Sequence, residues 1–257
     1  MSPVAPRKSL GQHFLVDQNI ARKIVDALRA APQDPVVEIG PGIGALSAML
    51  VEKYSEFTAI EIDARAVEQL RMQVPGIVVR HMDVLDIDWS DLRAEMGRPL
   101  HVIGNLPYNI SSPILFGLFA SARSIAEAVV MLQLEVAERI VAVPRTKQYG
   151  ILGVAAQLVC EPELLFRVSR NVFRPRPAVT SAVVRLRFNG SDGDSRYEGS
   201  LQRVIRMAFN QRRKKLRNSL RRFADERGID VPEPWASRRA EELSPEEFVA
   251  LTNYLTR

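Results

Sequence analysis

The 257-residue chain contains one cysteine, three histidines and two tryptophans, and it has no long apolar run. Cys160 cannot close an internal disulfide and lies in an apolar stretch, so it is read as a small buried hydrophobe. His13, His81 and His101 are scattered without the cysteine or carboxylate spacing of a metal site, so no metal is expected. No segment approaches the roughly 18 apolar residues of a membrane span. Residues 1–12 lack the apolar core of a secretory signal. A soluble, cytoplasmic, monomeric protein with no membrane partner is expected. Acids are missing between residues 201 and 223, where nine bases stand, while eight acids follow between residues 225 and 247. The net charge of +5 conceals that asymmetry. A charge run is often only a solvated face, but an unbalanced one favours a nucleic-acid partner.

An apolar share of 46% over this length suits one sizeable core with a smaller appendage. Short apolar runs at Val36 to Ile39, Phe57 to Ile60, Ile77 to Arg80, His101 to Ile103 and Ala128 to Leu132 read as buried strands. Amphipathic stretches between them predict a doubly wound, Rossmann-like α/β sheet. Leu164 to Val168 and Ala182 to Phe188 are close enough to pair antiparallel. Asp17 is placed to cap a helix with Ile20, Ile24 and Leu28 on one face. The polar run Asn189 to Ser195 reads as a linker, dividing the chain into domains at 1–189 and 196–257. The second is expected to be all-α. Leu201, Val204, Ile205 and Ala208 share one helical face, Leu216, Leu220 and Phe223 another. Ser244-Pro245-Glu246-Glu247 reads as a capping box that starts a last helix.

Asn105, Leu106, Pro107 and Tyr108 follow directly on the fourth apolar run. An exocyclic purine amine is a poor nucleophile because its lone pair is delocalised into the ring. An Asn side-chain oxygen and a backbone carbonyl can each accept one of its N–H groups and leave the lone pair aimed at an electrophile. Pro107 restricts Leu106 to extended backbone, which holds that carbonyl, and Tyr108 can stack on the ring. A plain strand-to-turn exit would use the same residues, and the two readings stand level.

Gly40-Pro41-Gly42-Ile43-Gly44 lies between a strand and a helix, where glycines let backbone approach a ligand. The spacing differs from the dinucleotide fingerprint, which speaks against a nicotinamide dehydrogenase. Glu61 ends the second strand, where it can accept ribose hydroxyls. Asp83 follows the third, where it can accept an adenine amino group. Either acid alone fits a loop cap equally well. Gly40, Glu61, Asp83 and Asn105 at successive strand ends share one sheet edge and outline an adenosine-containing cofactor beside an amine-holding turn.

On these residues, together with Lys8 to Leu15, Glu38 to Gly44, Asn171 to Val179 and Phe209 to Arg217, the chain closely resembles the ribosomal RNA adenine dimethyltransferase family, above all its bacterial small-subunit members. The likeness covers nearly the whole chain. It implies a class I methyltransferase fold and S-adenosylmethionine held by His13, Leu15, Gly40, Gly42, Glu61, Asp83 and Asn105. His13 stands where many relatives carry Asn. It also implies that Asn105 to Tyr108 receive the target amine, with Phe173 on a stiff exposed loop as a second aromatic. Arg7, Lys8, Arg212, Arg213, Lys214, Lys215 and Arg217 are expected to grip RNA phosphates. The implied reaction is dimethylation at N6 of two adjacent adenosines near the 3′ end of 16S rRNA, within a pre-30S particle. The target bases would be unpaired or flipped out. The rivals are a large-subunit methyltransferase of macrolide-resistance type and a non-catalytic RNA-binding or transcription factor on the same scaffold.

Overall fold

The computed structural model describes residues 4–7, 10–190 and 199–257. Its strands are β1 (Phe14–Leu15), β2 (Val36–Ile39), β3 (Phe57–Glu61), β4 (Val78–His81), β5 (Leu100–Asn105), β6 (Ile125–Gln133), β7 (Cys160–Val168), β8 (Phe173–Arg174) and β9 (Ser181–Phe188). Between and after them run the helices α1 (Gln18–Ala27), α2 (Ser47–Lys53), α3 (Ala64–Gln73), α4 (Trp89–Met96), α5 (Ser111–Ala120), α6 (Leu134–Ile140) and α7 (Ile151–Val159). The tail supplies α8 (Gly199–Asn210), α9 (Leu216–Ser219), α10 (Arg221–Asp225) and α11 (Pro245–Leu255).

Seven strands form one sheet in the order β4-β3-β2-β5-β6-β9-β7. β4, β3, β2, β5 and β6 are parallel, and β9 runs antiparallel to both β6 and β7. The chain winds outward from β2 through β3 to β4, then returns to β5 on the other side of β2. The gap between β2 and β5 is therefore a switch point, where such sheets open a ligand crevice at their carboxyl ends.

Strand periodicity divides the core. On β6, Ala128, Val130 and Leu132 face one apolar cluster and Val129 and Met131 face another, as a period of two requires. The second cluster is covered by α1, α2 and α3 through Ala21, Ile24, Leu50, Val67 and Leu70. The first is covered by α5 and α7 and also takes in Leu201, Val204, Ile205, Ala208, Phe248, Leu251 and Leu255. The tail thus shares the sheet's core. Tyr149 fastens it further, its hydroxyl donating to the Leu243 carbonyl at 2.9 Å.

Local signals behave as their chemistry predicts. The Asp17 carboxylate accepts from the backbone N–H groups of Asn19 and Ile20 and starts α1. Ser244 and Glu247 cap one another at the start of α11. The expected domain boundary falls largely on residues 191–198, outside the described residues.

Two expectations need correction. The helical tail is interrupted at Arg212, Arg213 and Lys214, because residues 211–214 form a turn between α8 and α9, whereas Arg217 lies within α9. Nor is Phe173 on an exposed loop. It belongs to β8, which pairs antiparallel with β1 in a small ribbon that joins segments about 160 residues apart, Leu15 lying opposite Phe173. Its side chain is fully buried with Leu15 and Val168. Burying a phenyl ring removes a large apolar area from water, which outweighs the stiff, exposed loop that the flanking prolines suggest.

Candidate active site

A cavity of about 240 Å³ opens at the carboxyl ends of β2, β3, β4 and β5 and is lined by Gln12, His13, Leu15, Glu38, Gly40, Gly42, Glu61, Asp83, Asn105, Leu106, Pro107 and Tyr108, among others. Its floor is the glycine turn after β2. Gly40 and Gly42 have φ of +63° and +56°, a region that side-chain-bearing residues rarely adopt. A Cβ on Gly42 would also meet the Phe14 ring at 3.0 Å.

Glu61 holds this turn in place. One carboxylate oxygen accepts the Gly42 N–H at 3.0 Å and the other the Asp63 N–H at 2.9 Å. Burial raises its pKa, and the backbone donors from Asp63 and Gly42 pull against that rise. Each oxygen retains a second lone pair for a ligand hydroxyl. Asp83 caps the Leu85 N–H through Oδ1 at 2.9 Å and also lines the cavity.

Glu38, at the head of the glycine motif, is a further carboxyl that lines the cavity. It is 2% exposed and accepts a hydrogen bond from the Ser47 hydroxyl at 2.6 Å. Burial pushes its pKa up to about 8, against the pull of Ser47 and with a further push from the charge of Glu61. Its protonated form is therefore favoured well above the usual carboxylate range. The signal was visible in Val36-Val37-Glu38-Ile39, a carboxyl in a continuous apolar strand.

At the end of β5 the Asn105 amide donates to the His13 carbonyl at 2.9 Å. Its own oxygen, Oδ1, is buried without a hydrogen-bond partner. A buried acceptor left empty costs about 1–3 kcal/mol, so such an atom marks a place for a donor that the chain itself does not supply. Leu106 is pinned by donation of its N–H to the Met131 carbonyl at 2.9 Å. Tyr108 is held at its far end, its hydroxyl 2.5 Å from the Ser181 hydroxyl, and burial raises its pKa.

The N-terminal strap closes over these groups. Gln12 donates to Asp63 at 3.2 Å, and the guanidinium of Arg65 holds the Asp63 carboxyl down at about 2. The His13 ring stacks on Tyr108 with centroids 5.4 Å apart and planes 28° apart. A carbonyl only accepts, so the 2.8 Å contact to the Pro175 oxygen puts the His13 proton on Nδ1. The strap thus brings His13 and Leu15 to the cavity. Phe173 is absent from its lining, and Lys8 lies outside the described residues.

The basic run lies apart from this cavity and is partly neutralised. Arg212 pairs with Glu241 at 2.6 Å and donates to the Thr146 carbonyl at 3.1 Å. Arg217 lies 3.8 Å from Glu233. The expectation of bases unmatched by acids fails for these two, because the acidic tail folds back across the turn. Arg213, Lys214 and Lys215 remain exposed, with no ion pair among the described residues. Arg7 is exposed at the start of the strap.

The cradle fits S-adenosylmethionine on its own evidence: an empty buried acceptor, a glycine turn without Cβ atoms, and two strand-end carboxyls. The fold agrees. The crystal structure of a dimethyladenosine transferase from Plasmodium falciparum superposes with a TM-score of 0.77 at 24% identity, covering 95% of this chain and 98% of that one. The 23S rRNA methyltransferase ErmE does so with a TM-score of 0.67 at 27% identity, covering 95% of this chain and all of the other. Fold and site together define a class I, S-adenosylmethionine-dependent methyltransferase.

The model of the ribosomal RNA adenine dimethylase family matches residues 5–257, and the chain belongs to that family. Ribosomal RNA small subunit methyltransferase A of Salinibacter ruber is 50% identical over 98% of this chain and 86% of its own length. The protein of the same name from Aromatoleum aromaticum is 42% identical over 99% of this chain and 96% of its own.

Proposed function

We propose that this enzyme dimethylates N6 of two adjacent adenosines in a loop near the 3′ end of 16S rRNA during small-subunit assembly. The observation that carries the site reading is the buried, unpartnered Oδ1 of Asn105, a residue that lines the cavity above the glycine turn. The small-subunit names of relatives at 42–50% identity support the choice of RNA.

In this reading Glu61 and Asp83 accept hydrogen bonds from the cofactor's ribose and adenine, while Gly40 and Gly42 let backbone approach it. His13 and Leu15 cover it. S-adenosylmethionine, when bound, supplies a methyl group activated on a sulfonium. Asn105 Oδ1 and the Leu106 carbonyl each accept one N–H of the target amine, which takes its lone pair out of conjugation. Tyr108 stacks on the purine. Residues 1–189 carry this chemistry. Residues 196–257, with Arg213, Lys214 and Lys215 foremost, grip phosphates and set register on a pre-30S particle. The enzyme acts as a monomer in the cytoplasm, where its substrate is assembled.

Labelled methyl transfer to unmethylated small subunits and, separately, to large subunits, followed by mapping of the modified nucleotides, tests the proposal. Two dimethylated adenines near the 3′ end of the small-subunit RNA are expected. Modification confined to the large subunit would replace the proposal with the ErmE-like reading, and no transfer to either would leave an RNA-binding protein.

A further inference from the structure

Dimethylation sets a problem that monomethylation does not. Each transfer forms an N–C bond at N6 and breaks a C–S bond of the donor, and N6 releases one proton to water. The first transfer starts from an amine with two N–H groups, enough for both Asn105 Oδ1 and the Leu106 carbonyl. The second starts from a methylated amine with only one. One orienting hydrogen bond is therefore lost between the two turnovers, and the ring platform must carry more of the alignment.

That platform has an anchor. The Tyr108 hydroxyl lies 2.5 Å from the hydroxyl of Ser181, which is fully buried. Ser181 opens β9 and lies in register with Gln133 of β6 and Val168 of β7. The preceding carbonyl, of Thr180, accepts the Leu134 N–H at 3.0 Å. The hydroxyl that fixes the ring is therefore set in the sheet and not in a loop. His13 stacks on one face of the same ring, so a base could stack only on the opposite one.

We infer that Ser181 is a positioning residue that acts through Tyr108 to sustain the second methyl transfer, when the target amine has one N–H left. The inference rests on the reading of Tyr108 as the base platform. Without the Ser181 hydrogen bond the ring still offers a surface, but its tilt is no longer set by the sheet. The first transfer, steered by two hydrogen bonds to the amine, tolerates this better than the second.

The test is single-turnover methylation of unmethylated small subunits by the full-length enzyme at saturating cofactor, with mono- and dimethyladenosine separated and timed. Ser181→Ala and Tyr108→Phe should each slow the second transfer by about three- to tenfold, the span of one hydrogen bond of ordinary strength. The first should slow less, so that monomethyladenosine accumulates. The double variant should be no slower than either single variant, because both remove the same bond. Equal slowing of the two transfers, or multiplying effects in the double variant, would overturn the inference. Tyr108→Ala separates it from the reading beneath. If that variant leaves both transfers at wild-type rate, the platform itself is wrong. If it slows them while Ser181→Ala and Tyr108→Phe do not, only the anchoring role falls. Should Ser181→Ala fail to fold, Tyr108→Phe carries the test by itself, since its half-buried ring keeps its shape.

Discussion

Glu61 in the cleft and Glu241 in the tail are both carboxylates that hold a loop in place, yet they work in different media. Glu61 is 5% exposed and is met by two fixed backbone N–H groups. Glu241 stays about 29% exposed and is met by the flexible guanidinium of Arg212. Burial makes the first interaction strong and insensitive to salt, because the desolvated charge has nowhere else to turn. Exposure makes the second weak and screened. Losses at the cleft should therefore be large and independent of ionic strength, and losses at the tail small or dependent on salt.

The largest effect is expected at Asn105. Asn105→Ala should lower the single-turnover rate by about 10²–10³, the cost of one preorganised transition-state hydrogen bond, with RNA affinity nearly unchanged. A rate within a few-fold of wild type would remove Asn105 from the amine site. Next come the cofactor acids. Asp83→Ala and Glu61→Ala should each weaken S-adenosylmethionine binding by roughly 1.5–3 kcal/mol, as for hydrogen bonds to a charged group. Calorimetric titration at two salt concentrations checks both the loss and its indifference to salt.

Glu38 sharpens the contrast through pH. Its folded-state pKa of about 8 lies above the ordinary value of 4.5, so the folded protein binds the extra proton between those values. The stability it contributes is complete below about pH 4.5 and is lost as pH rises through 8, at no more than about 1.4 kcal/mol per pH unit. Glu38→Gln should flatten that slope in denaturant melts between pH 5 and 8.5. An unchanged slope would mean that the carboxyl is already ionised.

The smallest effects belong to the tail. Joint replacement of Arg213, Lys214 and Lys215 by Ala should weaken RNA binding and reduce the slope of log affinity against log salt by about 0.7–0.9 for each phosphate that is no longer neutralised. Cofactor affinity should stay constant. Arg212→Ala should instead cost no more than about 1 kcal/mol of stability, since its ion pair is about a third exposed. If Arg212→Ala flattens the salt slope as much as the triple variant, the distinction between latch and grip disappears.

Much of this division was legible in the chain. The strand runs, the Asp17 and Ser244 caps, the glycine turn and the carboxyls at strand ends are local patterns, and local patterns carry their own physics. Phe173 shows the limit. Its flanking prolines are a true local signal for a stiff turn, but the ring is drawn into the core by β1, which lies far away in sequence. Arg212 shows it again, since Glu241 is brought across the turn only when α11 docks on the sheet's apolar cluster.

The sequence by itself determined which residues could do chemistry and at which strand ends they would stand, because periodicity, turn chemistry and charge are properties of neighbouring residues. Only the tertiary structure decided which of those groups are empty, paired or buried. It left Asn105 Oδ1 without a donor, raised the pKa of Glu38 by burial, joined Tyr108 to Ser181 and tied Arg212 to Glu241. Desolvation and hydrogen bonding depend on what long-range packing brings within about 3 Å, and no local pattern states that.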